Sequence, residues 1–312
     1  MKLFDLHCDT VCEITRHGSS LASNNHHVAL DKANVFNAYV QSFAHFATYK
    51  VTDEEGYKNF NILYSSLLKE VENNKDKIAL VKNAAELEVA LSAKKAIALP
   101  AVEDARILAG NLSRLDELKD KGIWYLTLMW SGETTIGGSH DTSSPLTPFG
   151  KDVVRRCFDI GIVPDISHAS EQSAEDTVSL AYEASSPIIA SHSNAFSVYS
   201  HSRNLRDRHM EAIKELGGII GISLCKFHLY NKDPDQTDLG DVIRHIEYYL
   251  SRGMEDVLCI GADWDGTDLP IGFYDIRSSQ NIYEALLKLN YNEALIEKIF
   301  FGNAYRFYKQ NF

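Results

Sequence analysis

Eight short apolar runs recur along the chain, each followed by a longer stretch of mixed polar and apolar residues, and this alternation restricts the fold more than any other feature. The runs are residues 2–6, 39–46, 96–102, 123–128, 162–166, 188–190, 218–222 and 257–260. Compact apolar runs of this length suit strands buried on both faces in a parallel sheet. Between them, residues 54–73 place Tyr57, Phe60, Leu63, Tyr64, Leu67 and Leu68 on one helical face, at separations of three and four. Residues 152–160, 171–183, 208–216, 239–251 and 279–289 have similar spacing, and 292–308 predicts a closing helix. Thr147-Pro148 and Ser170-Glu171 each read as a helix cap followed by the first turn. Eight βα units predict an α/β fold, a (β/α)8 TIM barrel with its active face at the C-terminal ends of the strands. No Pro-rich linker, low-complexity stretch or repeat divides residues 1–312, so one domain is expected.

The charge balance removes several classes of partner. Lys and Arg total 31 against 43 Asp and Glu, a net charge of −12, and such a field repels nucleic-acid phosphates and anionic lipid. No run approaches the roughly 18 apolar residues of a membrane span, and the opening residues lack the apolar core of a signal peptide. Five cysteines, Cys8, Cys12, Cys157, Cys225 and Cys259, make an odd count with no CxxC pair, which fits a reducing compartment. The expected location is the cytoplasm, with the cysteines serving mainly as small buried hydrophobes.

Chemically capable side chains gather at the ends of the apolar runs. The first run leads into His7 and Asp9, which share a side because strand residues alternate with period two, and together they make a good ligand pair for a divalent metal. The third ends at Glu103, whose two oxygens suit it to bridging two ions; a helix cap is the plainer alternative. The fifth and sixth runs each pass into Ser-His, at His168 and His192, and neighbouring barrel strands would bring both imidazoles to one ion. The eighth passes through Gly261 to Asp263 and Asp265, either of which would stand at the mouth as a proton acceptor. Two ions sharing a water would acidify it and polarise a carbonyl; nitrogen and oxygen donors suit zinc and also admit manganese, cobalt or iron.

At this point the chain resembles the membrane dipeptidase (renal dipeptidase) family of zinc-dependent hydrolases. The resemblance runs through nearly the whole length in one order: DLHCDT, PAVED, YLTL, LTPFGKDVVRR, DISHAS, PIIASHSNAF, SRNLRD and IGADWDG. It implies two zinc ions per chain, one held by His7, Asp9 and the bridging Glu103, the other by Glu103, His168 and His192. It further implies that Asp263 takes a proton from a bridging hydroxide's parent water and returns it to the departing amine. Arg203 matches the family arginine that grips the substrate's terminal carboxylate, a task suited to a planar guanidinium; on residues alone it reads instead as a surface ion-pair residue. The implied reaction is hydrolysis of a dipeptide's single amide bond, and pairing into a homodimer is a further expectation.

One position departs from the family. Trp130 stands where the family commonly has a substrate-binding histidine, and an indole cannot supply an imidazolium. His140, in the following loop, is a candidate substitute, and Trp130 itself is expected to form an apolar wall of the substrate site. The departure brings in a second substrate class, other carboxylate-bearing amides such as L-D dipeptides or N-acyl amino acids. A catalytically silent ligand-binding barrel is the third reading. The remaining histidines, His228 among them, are read as surface, packing or supporting residues.

Overall fold

The computed structural model describes residues 1–46 and 51–312. Its eight strands are all parallel to their partners: β1 (Leu3–Cys8), β2 (Tyr39–Phe46), β3 (Ile78–Leu80), β4 (Ala96–Glu103), β5 (Tyr125–Thr127), β6 (Val163–Asp165), β7 (Ile220–Ile222) and β8 (Leu258–Ile260). Neighbours follow the order β6-β5-β4-β2-β1-β8-β7. The eight residues of β4 serve two partners on one edge, β3 along Ala96 to Ala98 and β5 along Val102 and Glu103.

Seven of the eight expected strands are present within a few residues of their predicted bounds. The sixth run, 188–190, is not a regular strand. It pairs through single parallel bridges, Ile189 with Asp165 of β6 and Ala190 with Ile220 of β7, which set it between the two edge strands. The backbone here turns into the Ser191–Asn194 segment almost at once, too soon for a ladder to extend. β3 went unpredicted because three residues carry too little periodicity to read.

Helices follow the strands and cover the sheet. Asp53–Asn73 starts from a capping box in which Thr52 and Glu55 satisfy each other's backbone N–H groups. Thr147 and Ser170 cap Pro148–Ile160 and Glu171–Ala184 as expected, accepting from Gly150 and Ser173. The predicted closing helix is broken: Glu293–Glu297 and Asn303–Asn311 flank a π-helical turn at Lys298–Gly302. Ile299 and Phe300 within this wider turn, and Ala304, Phe307 and Tyr308 after it, are all buried. Among the described residues no helix is long and apolar enough to cross a membrane.

Two local features fix the ends of β1, β7 and β8. Asp5 is fully buried and accepts from His7 N at 3.0 Å, Ala262 N at 3.1 Å and Trp264 Nε1 at 2.9 Å, tying β1 to the segment after β8. The Ser191 carbonyl oxygen packs against Gly221 and Gly261, where an added Cβ would lie 2.0 and 1.8 Å from it. A methyl group at either place would force the 191 turn outward. Gly261→Ala is therefore expected to destabilise the fold by about 1–3 kcal/mol, seen as a lower urea midpoint with an unchanged slope.

Candidate metal centre

The polar ends of the strands converge. His7 is the penultimate residue of β1 and Asp9 lies just beyond the strand; the expected period-two alternation is interrupted, because the register with β2 shifts between Asp5 and Cys8, and Leu6 and Cys8 enter different apolar clusters while His7 and Asp9 meet at the centre. Glu103 closes β4, His168 and His192 lie just beyond β6 and the 188–190 segment, and Asp263 lies just beyond β8. Three overlapping groups result, each with ligand atoms within 4.8 Å of one another: His7 with Asp9 and Glu103, Glu103 with His168 and His192, and His7 with His192 and Asp263.

Glu103 divides its two oxygens between the groups. Oε2 is 3.6 Å from His7 Nε2, and Oε1 is 3.0 Å from His168 Nε2 and 3.7 Å from His192 Nε2. Asp9 Oδ2 and Asp263 Oδ1 lie 3.5 and 3.8 Å from His7 Nε2.

The outer nitrogens decide what the inner ones can do. His7 Nδ1 is 2.9 Å from the Tyr125 hydroxyl, whose own proton goes to Leu6 O, so the hydroxyl accepts from the ring. His168 Nδ1 lies 3.0 Å from Trp130 O, which can only accept. His192 Nδ1 lies 2.7 Å from Ser191 Oγ, whose proton goes to Asp165. Each imidazole thus carries a proton on Nδ1 and turns its Nε2 inward; burial alone would lower His7, but the Tyr125 and Glu103 groups beside it hold it well above its usual pKa.

Burial, then the Arg203 charge, holds His168 well below its usual pKa; burial, then His7 and Arg203, does the same for His192. Two lone pairs then face each other across 2.9 Å, with a carboxylate oxygen beside them. His7 Nε2 and Asp9 Oδ1 are buried without a hydrogen-bond partner. A buried cluster of carboxylates and inward-facing imidazole nitrogens, two of them held unprotonated, is an environment that a divalent cation satisfies.

The backbone around this centre is strained. Asp104, His168, Asp263 and Asp265 all have positive φ, between 66° and 78°, a conformation that side chains other than glycine adopt at a cost. A Cβ at Gly266 would lie 2.2 Å from Asp9 Oδ2 and 2.4 Å from Asp263 Oδ1. Glycine there lets two carboxylates approach.

The two aspartates after β8 have different surroundings. Asp265 accepts from Thr10 Oγ1 at 2.5 Å and His27 N at 2.6 Å, and its own N–H donates to His27 Nδ1 at 2.8 Å. Asp263 faces the centre and is pushed up to about 6, by burial first.

A cavity of about 520 Å³ opens onto the centre. Its walls include Trp130, His140, Arg203 and His228. Arg203 is buried, its Nε has no partner, and NH2 makes a long 3.4 Å contact to His192 O. The Trp130 ring lies 4.9 Å from Phe46 and 6.1 Å from His168, and the His140 ring lies 5.7 Å from His168. Burial and then Arg203 lower His140 to about 4.

The reading of His228 as a packing residue is incomplete: it also lines the cavity, stacked on His201 at 4.5 Å. Cys12, Glu13 and Arg16 line it as well, brought there by the helix Thr10–His17, which no sequence pattern singled out. A slightly larger hollow of about 590 Å³ around Lys2, Phe301 and Tyr305 contains none of the converging ligands, so chemistry rather than size marks the site.

Burial, followed by the nearby Asp9 charge, raises Glu103 to about 8. A carboxyl whose pKa is higher in the folded chain than in the unfolded one holds its proton more tightly when folded. Its stabilising contribution is complete at low pH and is lost as pH rises through the folded value. The metal-free protein is therefore expected to lose thermal stability between about pH 5 and pH 8, with added zinc flattening that slope in a melting series.

The sequence profile described as membrane dipeptidase (peptidase family M19) matches residues 1–311. A Klebsiella pneumoniae protein described only as lying in the pqqA 5′ region is 32% identical over 175 residues, 55% of this chain. Dipeptidase tcpJ of Claviceps purpurea is 29% identical over 236 residues, 74% of this chain. These alignments cover 63% and 55% of those two relatives' own lengths.

Two solved structures share the fold with a TM-score of 0.92. Dipeptidase AC, a metallopeptidase, is 23% identical, with 100% of this chain and 98% of that one covered. A Rhodobacter sphaeroides metallopeptidase bound to a phosphinate mimic of L-Ala-D-Ala is 22% identical, with 100% and 99% covered. With the profile matched over all but the last residue, the chain belongs to the membrane dipeptidase family, peptidase family M19.

Proposed function

We propose that this protein is a metal-dependent dipeptidase built on a single-domain (β/α)8 barrel, residues 1–312, holding two zinc ions at the C-terminal ends of its strands. Closure of the barrel is supported by the bridges that set 188–190 between β6 and β7. His7, Asp9 and Glu103 would hold one ion, and Glu103, His168 and His192 the other. The observation that carries this reading is the convergence of three inward-turned Nε2 atoms on the two oxygens of one glutamate.

Bound divalent ions supply Lewis acidity, polarising an amide carbonyl and making water acidic enough to ionise near neutral pH. The chain's own groups do the rest. Asp263, facing the centre rather than bound into the loop as Asp265 is, takes a proton from the attacking water and delivers it to the amine nitrogen as the C–N bond breaks. Arg203, a buried guanidinium with no carboxylate of the described residues within ion-pair distance, holds the substrate's terminal carboxylate. Because that anchor lies beside the metal ligand His192, a carboxylate one residue from the scissile bond fits and a longer peptide does not. Trp130 and Phe46 form an apolar wall of the same cavity.

The substrate class includes L-D dipeptides alongside L-L ones, as the similar Rhodobacter metallopeptidase holds a mimic of an L-D pair. The unpaired cysteines support a reducing, cytoplasmic setting.

The purified chain is expected to carry two zinc equivalents, to lose dipeptide hydrolysis with chelator and to regain it with zinc. Full turnover in metal-free protein would defeat the reading. Asp263→Asn should lower kcat about 10²- to 10⁴-fold with zinc content unchanged. Arg203→Ala should mainly raise KM, by about 10- to 100-fold.

A further inference from the structure

Position 130 offers the cavity an indole and a backbone carbonyl, and the carbonyl is already taken by His168 Nδ1. An imidazole nevertheless reaches the same place from another segment. After β5 the chain folds back on itself through bridges Glu133 to Gly138 and Gly137 to Leu146. Its next residues then pair antiparallel with the segment carrying a metal ligand: Ser139 bridges Ala169, and His140 N donates to His168 O at 2.7 Å. That register sets His140 across from His168, with ring centroids 5.7 Å apart.

The side chain of the next residue locks this placement. Asp141 Oδ1 accepts from Gly132 N at 2.8 Å and Ser139 Oγ at 2.5 Å, and Oδ2 accepts from Ser131 Oγ at 2.9 Å. One carboxylate thereby fastens both legs of the loop, immediately beside the histidine. Three residues, Ser131, Gly132 and Ser139, would lose their common anchor if it were removed.

His140 also occupies a partition. The metal-facing cavity and an adjoining one of about 440 Å³ share three walls, His140, His168 and Arg203. Among the described residues the His140 ring hydrogen-bonds through Nδ1, 3.3 Å from Ser202 Oγ, next to Arg203 in sequence. Its Nε2 edge is left for a ligand. A substrate whose carboxylate meets Arg203 and whose amide meets the metal ligands must lie along this wall.

We propose, on the basis of the dipeptidase reading above, that His140 is a catalytic residue of this chain, donating a ring N–H to the scissile carbonyl oxygen as negative charge grows there, and that Asp141 is its positioning residue. A donor aimed at developing charge acts on kcat more than on KM, because the charge is greatest in the transition state.

The test uses the zinc-loaded full chain with the dipeptide that the wild type cleaves fastest, and in parallel the binding of a phosphinate dipeptide analogue, whose tetrahedral oxygens stand for the transition state. His140→Ala is expected to lower kcat about 10²-fold with KM nearly unchanged, to weaken analogue binding in proportion, and to leave zinc content at the wild-type value. His140→Gln, which keeps an N–H donor, should recover part of the loss.

Asp141→Asn should cost about tenfold in kcat, and that loss should largely vanish in a His140→Ala background, since it acts through the histidine. A purely structural Asp141 would instead give additive losses. Wild-type kcat and analogue affinity in His140→Ala, in an active enzyme, overturns the His140 assignment alone; additive losses overturn the role of Asp141. A zinc-loaded wild type that neither cleaves dipeptides nor binds the analogue overturns the dipeptidase reading and this proposal together.

Discussion

Everything at the centre depends on where three protons are kept. Tyr125, Trp130 O and Ser191 each draw an Nδ1 proton away from the cavity, and the three Nε2 atoms converge as a consequence. If any of these outer partners accepted less well, its imidazole would be free to rotate or to change tautomer, and the ligand set would lose a donor. The outer partners are themselves anchored. Tyr125 passes its proton to Leu6 O in β1, and Ser191 passes its own to Asp165, which also takes donors from Thr127 Oγ1 and the Ser167 and Ser191 N–H groups. The hydrogen bonds thus run from β1 through β5 and β6 to the 188–190 segment, across the strands whose ends meet at the site.

Assembling acceptors in this way stores unfavourable energy in the folded chain. Glu103 is raised to about 8 and Asp263 to about 6 because burial removes water from carboxylates that lie near one another. Positive φ at His168 and Asp263, and a glycine where Asp9 and Asp263 crowd together, add local strain. Strain of this kind persists only where the surrounding packing outweighs it. Here the supporting elements include the fully buried Asp5 network and the close approach of Ser191 to two glycines.

The loop after β5 shows why a local departure in sequence need not remove a chemical group from a site. An indole at position 130 changes what that position presents, but the loop that follows returns to pair beside His168 and brings His140 to the same cavity. Sequence order separates positions 130 and 140; the antiparallel register brings both against His168.

Much of this was readable from one dimension. Strand ends marked by His7, Asp9, Glu103, His168, His192 and Asp263 were legible because a buried parallel strand is a short apolar run and its polar terminus is abrupt. The caps at Thr147 and Ser170 were legible because a cap is a local motif. The three-residue β3, the π-helical turn and the helix Thr10–His17 were not, since each is set by what it packs against rather than by its own periodicity.

The sequence by itself determined the alternation of elements and which residue types end the strands, because both depend on spacing along the chain. Only the tertiary structure decided which oxygen of Glu103 faces which imidazoles, that Asp263 faces the centre while Asp265 is held by Thr10 and His27, and that His228 and His140 line the cavity beside Arg203. Those choices depend on directions and on contacts between residues up to 255 positions apart, and a hydrogen bond's direction is fixed only when both of its partners are in place.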